Sequence, residues 1–229
     1  MSEHLTPSIT DFETVVAQRR SVRGFLPDLV PQEVLTKIFG LAQHAPSNCN
    51  VQPWQVVVAS GDACREISDK LQAAITSGEP MVADFRQVEK FEGVMRQRQI
   101  DTAVALYGNM GIARGDKAGR MKAAMRNYEF FDAPHIAFLS MDKAFAEPVA
   151  LDMGMYAQTL MLAMTAYGIG SCAQVSVSRY PDIVRDYFDL PDKQGILMGV
   201  SFGYEDTKIP ANRTVVPRAT IEENVRFFS

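Results

Sequence analysis

Val34, Leu35, Ile38, Leu41 and Ala42 recur at intervals of three and four, and Pro31 suits a first helical position, so the pattern predicts a helix over 31–43. Amphipathic spacing predicts a second helix over 62–77, stopped by Gly78 and Pro80, and a short one over 181–188. Residues 11–20 read as a short helix with Val15 and Val16 turned inward. The longest apolar helix spans 149–167 and meets Gly168, the residue type that best takes the left-handed position closing a helix. Unbroken apolar runs predict buried strands: QVVVA at 55–59, IAFLSM at 136–141 and GILMGVSFG at 195–203. Residues 81–132 are more polar and read as further helix, and the tail after Tyr204 ends in a short helix or arm. Strands and helices alternate, which fits an α+β or α/β layered domain with helices covering a sheet.

No repeat, linker or low-complexity tract interrupts the chain, so residues 1–229 are expected to form one domain. A domain of that length buries roughly 70 % of its unfolded surface without help from disulfides or metals. The composition, 47 % apolar and 22 % charged, excludes a disordered chain, a collagen and a coiled-coil rod. A formal net charge of −4 lacks the basic excess of a nucleic-acid binder. Cys49, Cys64 and Cys172 are an odd count with no CxxC spacing, which argues for a reducing compartment and against a zinc site. The opening MSEHLTPSITDFE has no basic stretch followed by an apolar one, so no secretory signal is expected there. Met153 to Ser178 carries no charge over 26 residues, long enough to span a bilayer. Gln158, Thr159, Thr165, Ser171, Gln174 and its glycines read instead as a buried helix followed by a loop and strand. The expectation is a soluble, cytoplasmic protein with neither a nucleic-acid nor a membrane partner.

Candidate chemistry begins with Arg19-Arg20-Ser21-Val22-Arg23, where three guanidinium groups and a hydroxyl just after a helix can converge on a phosphate. Alone, the run reads as a solvated basic corner. The proline-stiffened loop Pro46-Ser47-Asn48-Cys49-Asn50-Val51-Gln52-Pro53-Trp54 offers amides able to read a heterocycle edge, or to bond their own backbone. Arg114, Lys117, Arg120, Lys122 and Arg126 form a basic crowd that reads as a solvated helix face, and otherwise as a seat for an anionic substrate or a cofactor phosphate. His4, His44 and His135 are too scattered for a metal triad, and His135 reads as structural. Cys49 has no paired base and reads as inert packing, and the methionines of 153–164 as core filler. No GxGxxG after a strand, GxSxG elbow or P-loop is present.

Taken together and in order, RRSVRGF, APSNCNVQPW before a strand, GIGSCAQVS and GVSFGYEDTKIPANRTVVPR resemble the nitroreductase family of FMN-dependent flavoenzymes, from about Phe12 to Phe228. The stretch ARGDKAGRMKAAMRNYEFFDAPHIAF is similar to the middle of members that reduce nitroaromatics. The resemblance implies an α+β fold, a mostly antiparallel central sheet surrounded by helices, and an intertwined homodimer with FMN at each of two interface sites. It implies non-covalent FMN, with Arg19, Ser21 and Arg23 on the phosphate and Arg20 in contact through its backbone. Asn50 would bond the flavin ring, and Ala173, Gln174, Val175 and Ser176 would bring their backbone to the ring. Arg218 is the expected C-terminal phosphate anchor, with Arg213 a second candidate, since Val215 stands where the family often has arginine.

The activity so implied is ping-pong hydride transfer from NAD(P)H, through flavin N5, to a nitroaromatic acceptor. Quinones or free flavins are alternative acceptors on the same scaffold, and a non-catalytic FMN-binding dimer is the alternative outside it. The polar stretch 81–130 is expected to form a helical lid over the acceptor, with Phe85, Phe91, Tyr107, Tyr128 and Phe130 able to stack on a flat ring.

Overall fold

His135–Asp142 is the strand around which the fold is built. Ile136 and Phe138 point to one face and Ala137, Leu139 and Met141 to the other, none more than 1 % exposed. Both faces are covered, so the strand reads as an unbroken apolar run. In chain order the strands of this computed structural model are β1 (Gln55–Ser60), β2 (His135–Asp142), β3 (Gly170–Gln174) and β4 (Gln194–Gly203). The structure describes residues 6–145 and 147–229; His4 lies outside them. The sheet order is β1-β2-β4-β3 with every pair antiparallel.

Helices α2 (Gln32–Ala42) and α6 (Glu147–Ala166) cover one face of the sheet. Their Val34, Leu35, Ile38, Met153, Tyr156, Leu160 and Met164 pack with Leu139, Val200 and Phe202. Helices α3 (Asp62–Ser77) and α7 (Pro181–Phe188) cover the other face, where Ile67, Leu71 and Val184 meet Ile136, Phe138 and Ile196. The expected α+β architecture is therefore present. Helix α1 (Phe12–Gln18) lies against α6, while α4 (Gly93–Asn109), α5 (Lys117–Met125) and the one-turn α8 (Ile221–Asn224) stand outside the sheet. Gly78 and Gly168 take positive φ of 78° and 73° after α3 and α6, as their sequence positions require. No described helix is long and apolar enough to cross a membrane.

Three expectations need correction. Val15 is buried, but Val16 is 45 % exposed. Residues 81–92 are not helical. They form an extended strap held by long-range contacts that a helix could not make. The Asp84 carboxylate accepts the Ile196 N–H at 2.9 Å and pairs with Arg185 at 2.6 Å, and the Val82 N–H donates to the Arg179 carbonyl at 3.0 Å. Phe85 packs so closely on Gly195 that a Cβ there would meet the ring at 2.6 Å. Tyr128 and Phe130 are 7 % and 1 % exposed, so they belong to the core and not to a lid.

Phe130, Phe131 and Asp132 form a left-handed turn with φ of 50°, 59° and 65°. Arg126 clips it, donating to both Asp132 oxygens at 2.7 and 2.6 Å and to Glu129 at 2.6 Å. Those bonds, to Asp132 above all, keep the guanidinium charged against the pull of burial.

His135 is a satisfied structural residue. Its Nε2 accepts the Val30 N–H at 2.9 Å, its Nδ1 lies 2.7 Å from the Ser60 hydroxyl, and its ring stacks on Phe202 at 4.9 Å. Burial pushes its pKa down from 6.5 to about 4. The unfolded chain therefore takes up a proton first as pH falls. The neutral histidine's contribution is complete above about 6.5 and is lost between there and about 4, at up to about 1.4 kcal/mol per pH unit. Urea midpoints between pH 7 and 5 should fall in the parent chain and stay flatter in His135→Gln; equal slopes would contradict this assignment.

Candidate functional site

Residues 19–26 leave α1 as extended chain and run along the sheet without joining a named strand. Ser21 bridges Ser171 of β3, and the Val22 N–H donates to the Ser171 carbonyl at 2.9 Å. Phe25 bridges Glu205, and the Leu26 N–H donates to the Tyr204 carbonyl at 2.8 Å. Gly24 is required by packing, because a Cβ there would come within 2.5 Å of Ile209. An extended segment alternates its side chains. Val22 accordingly enters the core, while Arg19, Ser21 and Arg23 line a cleft of about 780 Å³. Thr214 to Val216 and Arg218 form the facing wall, and Thr165, Gly168, Gly170 and Ser171 the floor.

The cleft suits an anion. Burial first, and the nearby Arg218 charge second, hold the Arg19 pKa below its usual value. Among the described residues none of Arg19, Arg23 and Arg218 is paired with a carboxylate. The Ser171 hydroxyl is buried and has no hydrogen-bond partner there. Two cations held together beside an unspent donor fit a phosphate with several acceptor oxygens.

Not every expected residue converges. The Arg20 guanidinium places Nη2 between both Glu205 oxygens at 2.5 and 2.6 Å, so its charge is spent on that carboxylate although Arg20 borders the cleft. Arg213 is exposed and outside the cleft lining, which leaves Arg218 as the C-terminal cation. Ala173 and Gln174 belong to β3, not to a loop, with Ala173 and Val175 exposed just beyond the cleft floor. The Gln174 side chain is buried, donating to the Asn127 carbonyl at 2.7 Å and accepting from the Ser201 hydroxyl. The Ser176 hydroxyl is buried without a partner.

Asn50 stands apart. Its loop is anchored where the Asn48 N–H meets the Asp152 carboxylate at 3.2 Å, thirteen residues along α6 from Thr165 at the cleft, or about 20 Å. Cys49, Asn50 and Gln52 there have positive φ of 48°, 56° and 46°, and Cys49 is exposed, not packed as expected. One contributor, Ser171, was not singled out from sequence; Asn212, at the head of the C-terminal run, has a side chain that is 5 % exposed and bonds only main-chain groups. A lone serine in such a stretch gives no signal of such a role. Arg114, Lys117 and Lys122 are exposed, as a solvated face requires, whereas Arg120 is half-buried and Arg126 is half-buried and ion-paired.

Beside the cleft, sharing Arg23 with it, lies a smaller pocket of about 280 Å³ walled by Leu106, Tyr107, Met110 and Phe131. It joins the extended segment 19–26 to α4 and α5.

The model of the Nitroreductase family matches residues 16–204. The nitroreductase NfnB of Mycolicibacterium smegmatis is 42 % identical over 94 % of this chain and 92 % of its own length. A 4-nitrobenzoate reductase of Pseudomonas putida is 34 % identical over 91 % of each chain. The crystal structure of the FMN-dependent nitroreductase NfnB from Mycobacterium smegmatis in complex with NADPH superposes with a TM-score of 0.91 at 42 % identity, covering 95 % of this chain and 97 % of that one.

Proposed function

Because this chain belongs to the nitroreductase family, we propose that it is an FMN-dependent oxidoreductase using NAD(P)H to reduce nitroaromatic compounds. The observation that carries the reading is the cleft in which Arg19 and Arg218 oppose each other beside the unpartnered Ser171 hydroxyl. Bound there, FMN would supply the two-electron chemistry, accepting hydride from NAD(P)H and reducing a nitro group. The chain's own task is to hold and orient. Arg19, Ser21, Arg23 and Arg218 take the phosphate, Ser171 donates its hydroxyl, and the stretch Ala173 to Ser176, exposed at Ala173 and Val175, receives the ring. The small pocket beside Arg23 seats the acceptor, with α4 and α5 as its cover and Tyr107 as a stacking face.

The site is completed by a second copy. Asn50 is too far along α6 to reach its own cleft, and α6 has an outward apolar side, with Leu151 70 % and Met155 37 % exposed. Two α6 helices packed head to tail bury that side and bring Asn50 of the partner subunit to the cleft. Strand β1 is a sheet edge, and the C-terminal arm exposes Phe227 and Phe228 by 85 % and 91 %, which adds an exchangeable element to the pairing.

One sample tests the proposal. The purified protein should be yellow, sediment at twice the chain mass, bleach anaerobically with NAD(P)H and regain colour with a nitroarene. Tyr107→Ala should slow only the recovery of colour. A yellow protein that NAD(P)H leaves unbleached is a binding protein and not this enzyme.

A further inference from the structure

We propose that Arg20 is a positioning residue that keeps the Glu205 carboxylate out of the anion site, an assignment resting on the FMN reading above. Glu205 is itself part of the cleft lining. A carboxylate there faces the same space as the phosphate expected between Arg19 and Arg218, and like charges in a partly buried cleft repel. The Arg20 guanidinium removes that charge from contention by placing one nitrogen, Nη2, between both carboxylate oxygens, at 2.5 and 2.6 Å, a short charge-assisted contact. Its other terminal nitrogen, Nη1, donates to the Asn212 carbonyl at 2.9 Å.

That third bond links the ion pair to both walls. The Asn212 side chain accepts the Arg23 N–H at 2.6 Å and donates to the Gly24 and Asp206 carbonyls at 2.8 and 2.9 Å. Asn212 is followed, two residues on, by the wall Thr214 to Arg218. Arg20 thus sits within the phosphate-facing run without facing the phosphate. It neutralises the acidic side chain of the cleft and fixes the spacing between the strand bearing Arg19 and the segment bearing Arg218.

FMN titrations by flavin fluorescence, with thermal melts of each flavin-free protein, separate the possibilities. Arg20→Ala should weaken FMN binding about ten-fold, because Glu205 is left unpaired against the phosphate. Arg20→Ala combined with Glu205→Gln should return the affinity to within about three-fold of the parent chain, the offending charge having gone. A loss that persists in the double variant means that Arg20 acts through the phosphate or through the Asn212 link and not by neutralising Glu205, and overturns the assignment. Lowered melting temperatures with unchanged affinity give the ion pair a purely structural role, and also overturn it. Absence of FMN binding by the parent chain removes the reading underneath, a result distinct from either.

Discussion

Asp84→Ala is expected to lower the stability of this protein by about 3–5 kcal/mol, the usual cost of leaving one member of a buried ion pair without its partner. The two side chains are 7 % and 9 % exposed, and Asp84 also satisfies the Ile196 N–H at the start of the apolar stretch of β4. Arg185 would keep its bond to Asp182, but that carboxylate is largely in solvent and compensates little. For a chain of this length the melting temperature should fall by roughly 10 °C. Asp84→Ala with Arg185→Met should recover much of the loss, since a buried pair replaced by apolar side chains is often neutral. A single variant within about 1 kcal/mol of the parent chain in urea unfolding would show that the strap 81–92 contributes little to the native state.

Arg19→Ala should separate affinity from stability. With FMN present, the loss of one charge-assisted contact should weaken binding by about 1.5–3 kcal/mol, some ten- to hundred-fold, and Arg23→Ala should act similarly. Without flavin the sign changes. Arg218 lowers the Arg19 pKa after burial does, so removing one of the two cations relieves a repulsion. The flavin-free Arg19→Ala protein should melt no lower than its parent. Inorganic phosphate should raise the melting temperature of the parent chain more than that of the variant. Equal FMN affinity in calorimetry would take Arg19 out of the site. A destabilised flavin-free variant would show that its role is packing.

Much of the fold was legible because local signals agreed with tertiary demand. Gly78 and Gly168 end their helices where glycine must, Pro181 opens α7, and the apolar runs of β2 and β4 are strands buried on both faces. The strap 81–92 was misread because its composition tolerates helix, while what straightens it, Arg185 and Gly195, lies a hundred residues away. Arg19, Ser21 and Arg23, named from their motif, all line the cleft. The fate of Arg20 was not legible, because it depends on Glu205, which no local pattern connects to it. The Asn50 loop was legible as a motif, but its position at the far end of α6 is a property of the whole chain.

The left-handed turn at Phe130–Asp132 constrains how this sequence can drift. Each non-glycine residue held there costs on the order of 1–2 kcal/mol, somewhat less for aspartate. Arg126 offsets that cost through three short bonds to Glu129 and Asp132. Loss of Arg126 first would leave the strain uncompensated beneath the core residue Phe130, whereas glycine at 132 first would make Arg126 dispensable. The order of substitutions therefore matters more than their identity, and ancestral paths through this corner should run from the turn towards the arginine, not the reverse.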